Sequence, residues 1–179
     1  MKIEIEEDLS LESLNEKHVQ PIFLLALRNK LHIREWFPWV DLMETSEFMA
    51  NYIKASTLRC EAGTEHAFVI LKGEEVVGRI GLHRIDLQNR VGEIGYWIGE
   101  EYQGNGLITK ACGGLIAYAF DTLLLNRIEI RCGMTNTKSQ KIAERLGFTL
   151  EGISRQAYFV RDAFFDLKVY SMLKSEWGK

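Results

Sequence analysis

The stretch from Glu93 to Lys110, EIGYWIGEEYQGNGLITK, passes from strand-like alternation to helical spacing across a loop with two glycines in three residues. The first N–H groups of a helix lack intrahelical partners and lie at the positive end of its dipole. Gly104 and Gly106 can take positive φ and let an anion come close to the backbone. Gln103 to Thr109 therefore reads as a cradle for a phosphate group. The cradle alone does not name its ligand, because a P-loop, a dinucleotide fingerprint and an ordinary helix start with convenient glycines all share it. A P-loop needs Lys-Ser/Thr after its last glycine, where Leu107-Ile108 stands. The dinucleotide motif needs a third glycine, where Thr109 stands, and glycines after the first strand of a parallel unit.

What precedes the loop does not fit such a unit. His66 to Leu71, a Lys72-Gly73-Glu74 turn, Val76 to Leu87, a Gln88-Asn89-Arg90 turn and Val91 to Ile98 predict three consecutive antiparallel strands. After the loop, Leu107, Ala111, Leu115 and Ala119 with Ile108, Cys112, Ile116 and Phe120 repeat at helical spacing, and Arg127 to Cys132 reads as a buried strand. That strand-helix-strand unit predicts a right-handed parallel crossover. Toward the N terminus, residues 2 to 14 form short alternating segments. Asn15 can cap a helix carrying Val19, Ile22, Phe23, Leu25, Ala26 and Leu27, with Pro21 tolerable only in its first turn. Leu31 to Phe37 reads as helical up to Pro38, and Thr45 or Ser46 opens a helix running to about Leu58. Beyond the crossover, a helix from about Thr137 to Leu146 stops at Gly147. Two long strands, Phe148 to Val160 and Phe164 to Trp177, meet at an Arg161-Asp162 turn. The expected fold is an α/β domain with a mixed, mostly antiparallel central sheet flanked by helices.

At 179 residues, with 46 % apolar and 26 % charged residues, the chain is expected to be one domain spanning 1–179. A net charge of -3 supplies no field for condensing onto nucleic acid or anionic lipid. The apolar runs, Pro21 to Leu27 among them, are far too short to span a bilayer. A cytoplasmic protein without direct nucleic-acid or membrane partners is the expectation. Cys60, Cys112 and Cys132 form no CxxC pair and His18, His32 and His66 no metal-ligand spacing, so no disulfide framework or metal site is expected. Cys112 reads as core. Glu4, Glu6, Glu7 and Asp8 read as a solvated edge.

The Gln103-Gly-Asn-Gly106 loop, together with Asn136-Thr-Lys-Ser139, Glu144-Arg-Leu-Gly-Phe148-Thr-Leu-Glu-Gly152, and Asn29-Lys30 with Trp36 and Trp39, resembles the Gcn5-related N-acetyltransferases (GNAT) over nearly the whole chain. Within that family it is most similar to the branch that acetylates ribosomal-protein N termini. Gln103 and Gly106 match the family's Q/R-x-x-G-x-G/A motif, and the last Gly/Ala position is Ile108 here, where only the N–H is required. The resemblance implies a GNAT fold with its parallel unit at the cofactor site and acetyl-CoA as cosubstrate. It implies a pantetheine arm beside Trp97, Ile98 and Gly99, and a diphosphate on Gln103, Gly104, Asn105, Gly106, Leu107, Ile108 and Thr109. It further implies Asn136 and Ser139 near the coenzyme chain and its sulfur, and a homodimer. Read from the residues alone, Asn136 is equally an N-cap and Ser139 a surface helix residue.

The implied reaction is direct attack of a primary amine on the thioester, with the oxyanion met by a strand N–H, expected at Ile98. An α-amine, with a pKa of about 7.7 to 8.0, is neutral to roughly a tenth at pH 7, so a ribosomal-protein N terminus asks little of a base. A small amine such as an antibiotic or polyamine, or a non-catalytic acyl-CoA-binding role, are the alternatives. Catalytic candidates are Ser139, or a water held by Asn136, for proton donation to the thiolate and Glu35, on the front segment that shapes the acceptor site. Glu93 and His83 are further candidate bases and Tyr158 a candidate donor. Trp36, Phe37 and Trp39 either wall the acceptor entrance or belong to the core. Cys132 ends its strand near the expected sulfur, where a mixed disulfide is conceivable.

Overall fold

The computed structural model describes residues 1–178. Eight strands form one sheet: β1 (Lys2–Glu6), β2 (Leu9–Ser13), β3 (His66–Lys72), β4 (Glu75–Asp86), β5 (Val91–Ile98), β6 (Arg127–Gly133), β7 (Thr149–Val160) and β8 (Ala163–Leu173). Their spatial order is β1-β2-β3-β4-β5-β6-β8-β7. Among the described residues only β5 and β6 run parallel, joined by the crossover helix α4 (Leu107–Asp121). The other helices are α1 (Val19–Arg28), α2 (Lys30–Ile33), α3 (Ser46–Glu61) and α5 (Thr137–Arg145). The expected mixed α/β sheet and the three-strand meander are present.

Strand alternation sends side chains to two faces, and each face is covered. Leu11, Phe68, Ile80, Leu82, Ile94, Ile128 and Ile130 pack under α4, whose Ala111, Cys112, Leu115, Ile116, Ala119 and Phe120 are fully buried. Val69, Leu71, Val76 and Trp97 point to the opposite face, under α1 and α3. Each fully buried aliphatic chain in these layers contributes about 1.5–3 kcal/mol relative to exposure.

Several sequence expectations move at their edges. Asn15 caps a short 3-10 turn, Glu16–His18, before α1 begins, and Pro21 falls in the first turn of α1. The helix expected over Leu31 to Phe37 is limited to Lys30–Ile33, because Pro38 starts a separate 3-10 turn, Pro38–Asp41. The last strand ends at Leu173 rather than Trp177: Leu173 donates its N–H to Glu176, and Lys174 donates to the Asn126 carbonyl, which turns the chain off the sheet. Arg161 and Asp162 both take positive φ, 47° and 60°, the conformation that suits a two-residue hairpin.

Candidate active site

Pairing between β5 and β6 is short. Val91, Gly92 and Glu93 face Arg127, Ile128 and Glu129, and among the described residues no further pair links the strands, although both continue to Ile98 and Gly133. The closed end is clamped by Arg127, whose guanidinium bonds both Glu129 and Glu151. Above Glu93 the two strands separate and the sheet is split.

Which backbone groups open into the split follows from the other edge of β5. Gly99 donates its N–H to the Val77 carbonyl at 2.9 Å, and Ile98 lies opposite Gly78 and Gly95 opposite Gly81. Hence Glu93, Gly95, Trp97 and Gly99 direct their main-chain groups to β4, and alternate residues turn theirs away. The N–H and C=O groups of Tyr96 and Ile98 thus face the split. This corrects the expectation for two residues. The main chain of Trp97 is engaged by β4, and its indole packs against Trp39 with ring centroids 6.1 Å apart. Gly99 is engaged by Val77 and by Tyr102, whose N–H its carbonyl accepts at 3.1 Å. Tyr96, not singled out from the sequence, joins Ile98 in their place.

At the head of the split stands the two-glycine loop. Gly104 and Gly106 have φ of 82° and 72°, and a Cβ at either would meet nothing within 4 Å. The first main-chain bond of α4 runs from Lys110 N–H to the Gly106 carbonyl at 3.0 Å. The N–H groups of residues 104 to 109 find no acceptor among the described residues. Six consecutive unpaired donors at a helix N-terminus form a site that a diphosphate fits. Ile108 buries its side chain in the core and offers only its N–H, which reconciles its bulk with the motif.

Neighbouring side chains fix the loop. Asn29, buried at 6 % exposure, accepts the Glu100 N–H at 2.8 Å and donates to the Leu25 carbonyl at 3.0 Å. Gln103 bonds His32 and accepts from Lys138 Nζ at 2.8 Å, tying the loop to α5. Asn29→Ala removes both Asn29 bonds. It is expected to cost about 1–2 kcal/mol, read as a lower Tm, and to weaken coenzyme A binding in calorimetry.

Across the split, Tyr96 and Ser139 hydroxyls are 2.8 Å apart. Burial pushes the Tyr96 phenol well above the usual tyrosine range, so it keeps its proton. Burial also raises the Cys132 thiol, partly opposed by a hydrogen bond from Ser139. Asn136 is an N-cap: its Oδ1 accepts the Ser139 N–H at 3.0 Å. Lys138, Lys141 and Arg145 line the cleft from one face of α5. Their i, i+3, i+7 spacing is the one signal in the sequence that they share a helix face.

The cleft occupies about 1210 Å³, more than an ordinary small-ligand pocket, and runs through the split to the opposite sheet face. There Trp36 lies against Gly133, while Trp39 stacks with Tyr52, centroids 6.5 Å apart. Tyr158 donates its proton to the Trp36 carbonyl at 2.7 Å, so the donor role expected of it is replaced by wall-building. Glu93 pairs with Arg84 at 3.1 Å. Glu35 is exposed at the mouth, with no hydrogen bond or ion pair among the described residues. Among the described residues no group could hold a metal ion, and no helix is long and apolar enough to cross a membrane.

The acetyltransferase (GNAT) domain family matches residues 8–149. The chain belongs to the GNAT family. As a GNAT protein it is an acetyl-CoA-dependent N-acetyltransferase. It is 33 % identical over 171 residues to the ribosomal-protein-serine acetyltransferase of Escherichia coli (strain K12), covering 96 % of each chain. It is 35 % identical over 176 residues to the putative ribosomal N-acetyltransferase YdaF of Bacillus subtilis (strain 168), covering 97 % of this chain and 95 % of YdaF. Among solved structures it superposes with a TM-score of 0.93 and 25 % identity on RimL, the ribosomal L7/L12 α-N-protein acetyltransferase, covering 97 % of this chain and 98 % of RimL. That structure holds coenzyme A disulfide-linked to one of the RimL cysteines.

Proposed function

We propose that this GNAT enzyme acetylates the N-terminal α-amine of a ribosomal protein by direct attack in a ternary complex. The carrying observation is the line of unsatisfied main-chain donors from residues 104–109 to Ile98 and Tyr96, ending at Ser139. Full-length similarity to two proteins named for ribosomal acetylation supports the acceptor.

Residues 104–109 hold the diphosphate, with Lys138, Lys141 and Arg145 adding positive charge at the cleft wall. Because the thiol end of coenzyme A lies deeper than its diphosphate, Ile98, nearer the loop, pairs with the pantetheine arm. Tyr96 lies two residues deeper and beside Ser139, so its N–H, rather than that of Ile98, meets the carbonyl oxygen as negative charge develops there. Ser139 Oγ protonates the departing sulfur, with the Tyr96 hydroxyl behind it. Asn136 holds Ser139 in register and offers Nδ2 to the arm. Cys132, beside Ser139, is where RimL's coenzyme-linked cysteine makes a thiol at the sulfur position intelligible. The acceptor enters from the opposite face, past Trp36.

The test is a panel of N-terminal ribosomal peptides, the same peptides with blocked N termini, and spermidine, each followed by thiol release and mass spectrometry. One acetyl group on the α-amine of an unblocked peptide is expected. Acetylation of spermidine with none of the peptides modified contradicts the acceptor assignment.

A further inference from the structure

We propose that His83 accepts the proton shed by the acceptor amine, and that the buried Glu65 positions its ring. The inference rests on the transfer reaction proposed above and adds a residue to it.

Arg79, Gly81 and His83 of β4 lie opposite Trp97, Gly95 and Glu93 of β5 on the acceptor face. With no side chain at Gly95, the imidazole lies over that residue: a Cβ there would be 3.2 Å from His83 Cδ2 and 3.3 Å from Nε2. Nε2 is therefore beside Gly95, the residue preceding Tyr96. His83 Nδ1 points back to Glu65, 3.8 Å from Oε1. The Glu65 side chain is only 4 % exposed, against 31 % for His83, which lines the cleft.

Glu65 is itself immobilised. Ser56 Oγ donates to it at 2.6 Å and Arg79 at 3.0 Å, and Arg59 donates to its other oxygen. Burial raises its pKa, but the nearby His83 ring and hydrogen bonds from Ser56 and Arg59 outweigh that and hold it at about 2. It is a fixed anion, which favours a proton on the near ring nitrogen and leaves Nε2 as the acceptor.

Most of the remaining charged and titratable groups around His83 are already engaged. Glu93, directly opposite, pairs with Arg84. Arg79 pairs with Glu65 and lies over the Tyr52 ring at 4.7 Å. On α3, Arg59 is engaged by Glu65 and Cys60 is half-buried. On β6, Glu129 is bonded by Arg127, and Arg131, the next residue on that face, lines the cleft with its Nε buried and without a hydrogen-bond partner among the described residues; a cation there disfavours an incoming ammonium. Glu35 has nothing to orient it.

In the step, the ammonium N–H bond breaks and its proton moves to the Nε2 lone pair. The neutral amine forms the C–N bond as the C–S bond breaks, and the second amine proton ends on the coenzyme sulfur. The imidazolium releases its proton to water through the open mouth.

The experiment is the pH dependence of kcat/KM for an unblocked peptide, wild type against His83→Gln, at saturating acetyl-CoA. Without the base, rate follows the amine's own ionisation, so the variant is expected to fall about tenfold below wild type at pH 6, where little of an α-amine is neutral, and to come within about twofold of it above pH 9. Coenzyme A affinity by calorimetry should be unchanged. Rates within twofold of wild type at pH 6 overturn the proposal while leaving the transfer reading intact. Wild-type protein that neither binds coenzyme A nor releases thiol overturns both. A 15N spectrum of the wild-type imidazole, which requires no variant, is expected to show the proton on Nδ1; a proton on Nε2 contradicts the assignment. Glu65→Gln should lessen the preference for the Nδ1 proton in the same spectrum, and an unchanged tautomer removes the positioning role.

Discussion

Changing Gly106 to aspartate is expected to weaken coenzyme A binding by about a hundredfold while leaving the protein folded. Nothing lies within 4 Å of a Cβ at this position, so the substitution meets no steric barrier. The cost to the fold is the left-handed φ of 72°, about 1–2 kcal/mol for a residue with a side chain. The cost to binding is larger. A carboxylate about 5 Å from one diphosphate charge, at the effective dielectric of a protein surface, repels it by about 3 kcal/mol, and each 1.4 kcal/mol is about tenfold in affinity. Gly106→Ala carries the strain without the charge and retains the N–H, so its affinity should fall only a few-fold. Titration calorimetry of both variants, beside their melting temperatures, separates the two causes. Equal losses in the two variants would mean that the loop acts by shape and not by holding an anion.

The second large effect is at Ser139. Ser139→Ala is expected to lower kcat by between about tenfold and a hundredfold, the scale of a lost proton donor, with coenzyme A affinity nearly unchanged. The start of α5 should survive, because its cap joins Asn136 Oδ1 to the main-chain N–H of residue 139 and not to the hydroxyl. The Tyr96 hydroxyl loses its 2.8 Å partner, a stability cost of about 1 kcal/mol. Tyr96 can then donate only across the gap left by the missing oxygen, so Tyr96→Phe added to Ser139→Ala should reduce kcat further. Stopped-flow thiol release measures the chemical step. A raised KM for acetyl-CoA with kcat intact would make Ser139 a binding residue only.

Much of the fold was legible because its signals are local. Alternation placed β3, β4 and β5, helical spacing placed α4, and glycines at 104 and 106 placed the cradle between strand and helix. The split was not legible. It depends on pairing that stops after Glu93 and Glu129, and nothing in either segment's own residues announces where a neighbour departs. The choice of Tyr96 and Ile98 over Trp97 and Gly99 has the same origin: the face of a strand's backbone is set by its register with β4. Asn29 and Glu65 act through partners 71 and 14 residues away in sequence, beyond any spacing argument. Asn136 shows the converse: its reading as an N-cap, available from the sequence, is what the structure contains.

A crystal structure of the protein with coenzyme A bound tests the central claim most directly. The account predicts diphosphate oxygens on the main-chain N–H groups of residues 104–109, a pantetheine amide paired with Ile98, and the sulfur beside Ser139 and Cys132. Coenzyme A seated elsewhere, or held by the loop with its arm outside the split, would contradict it.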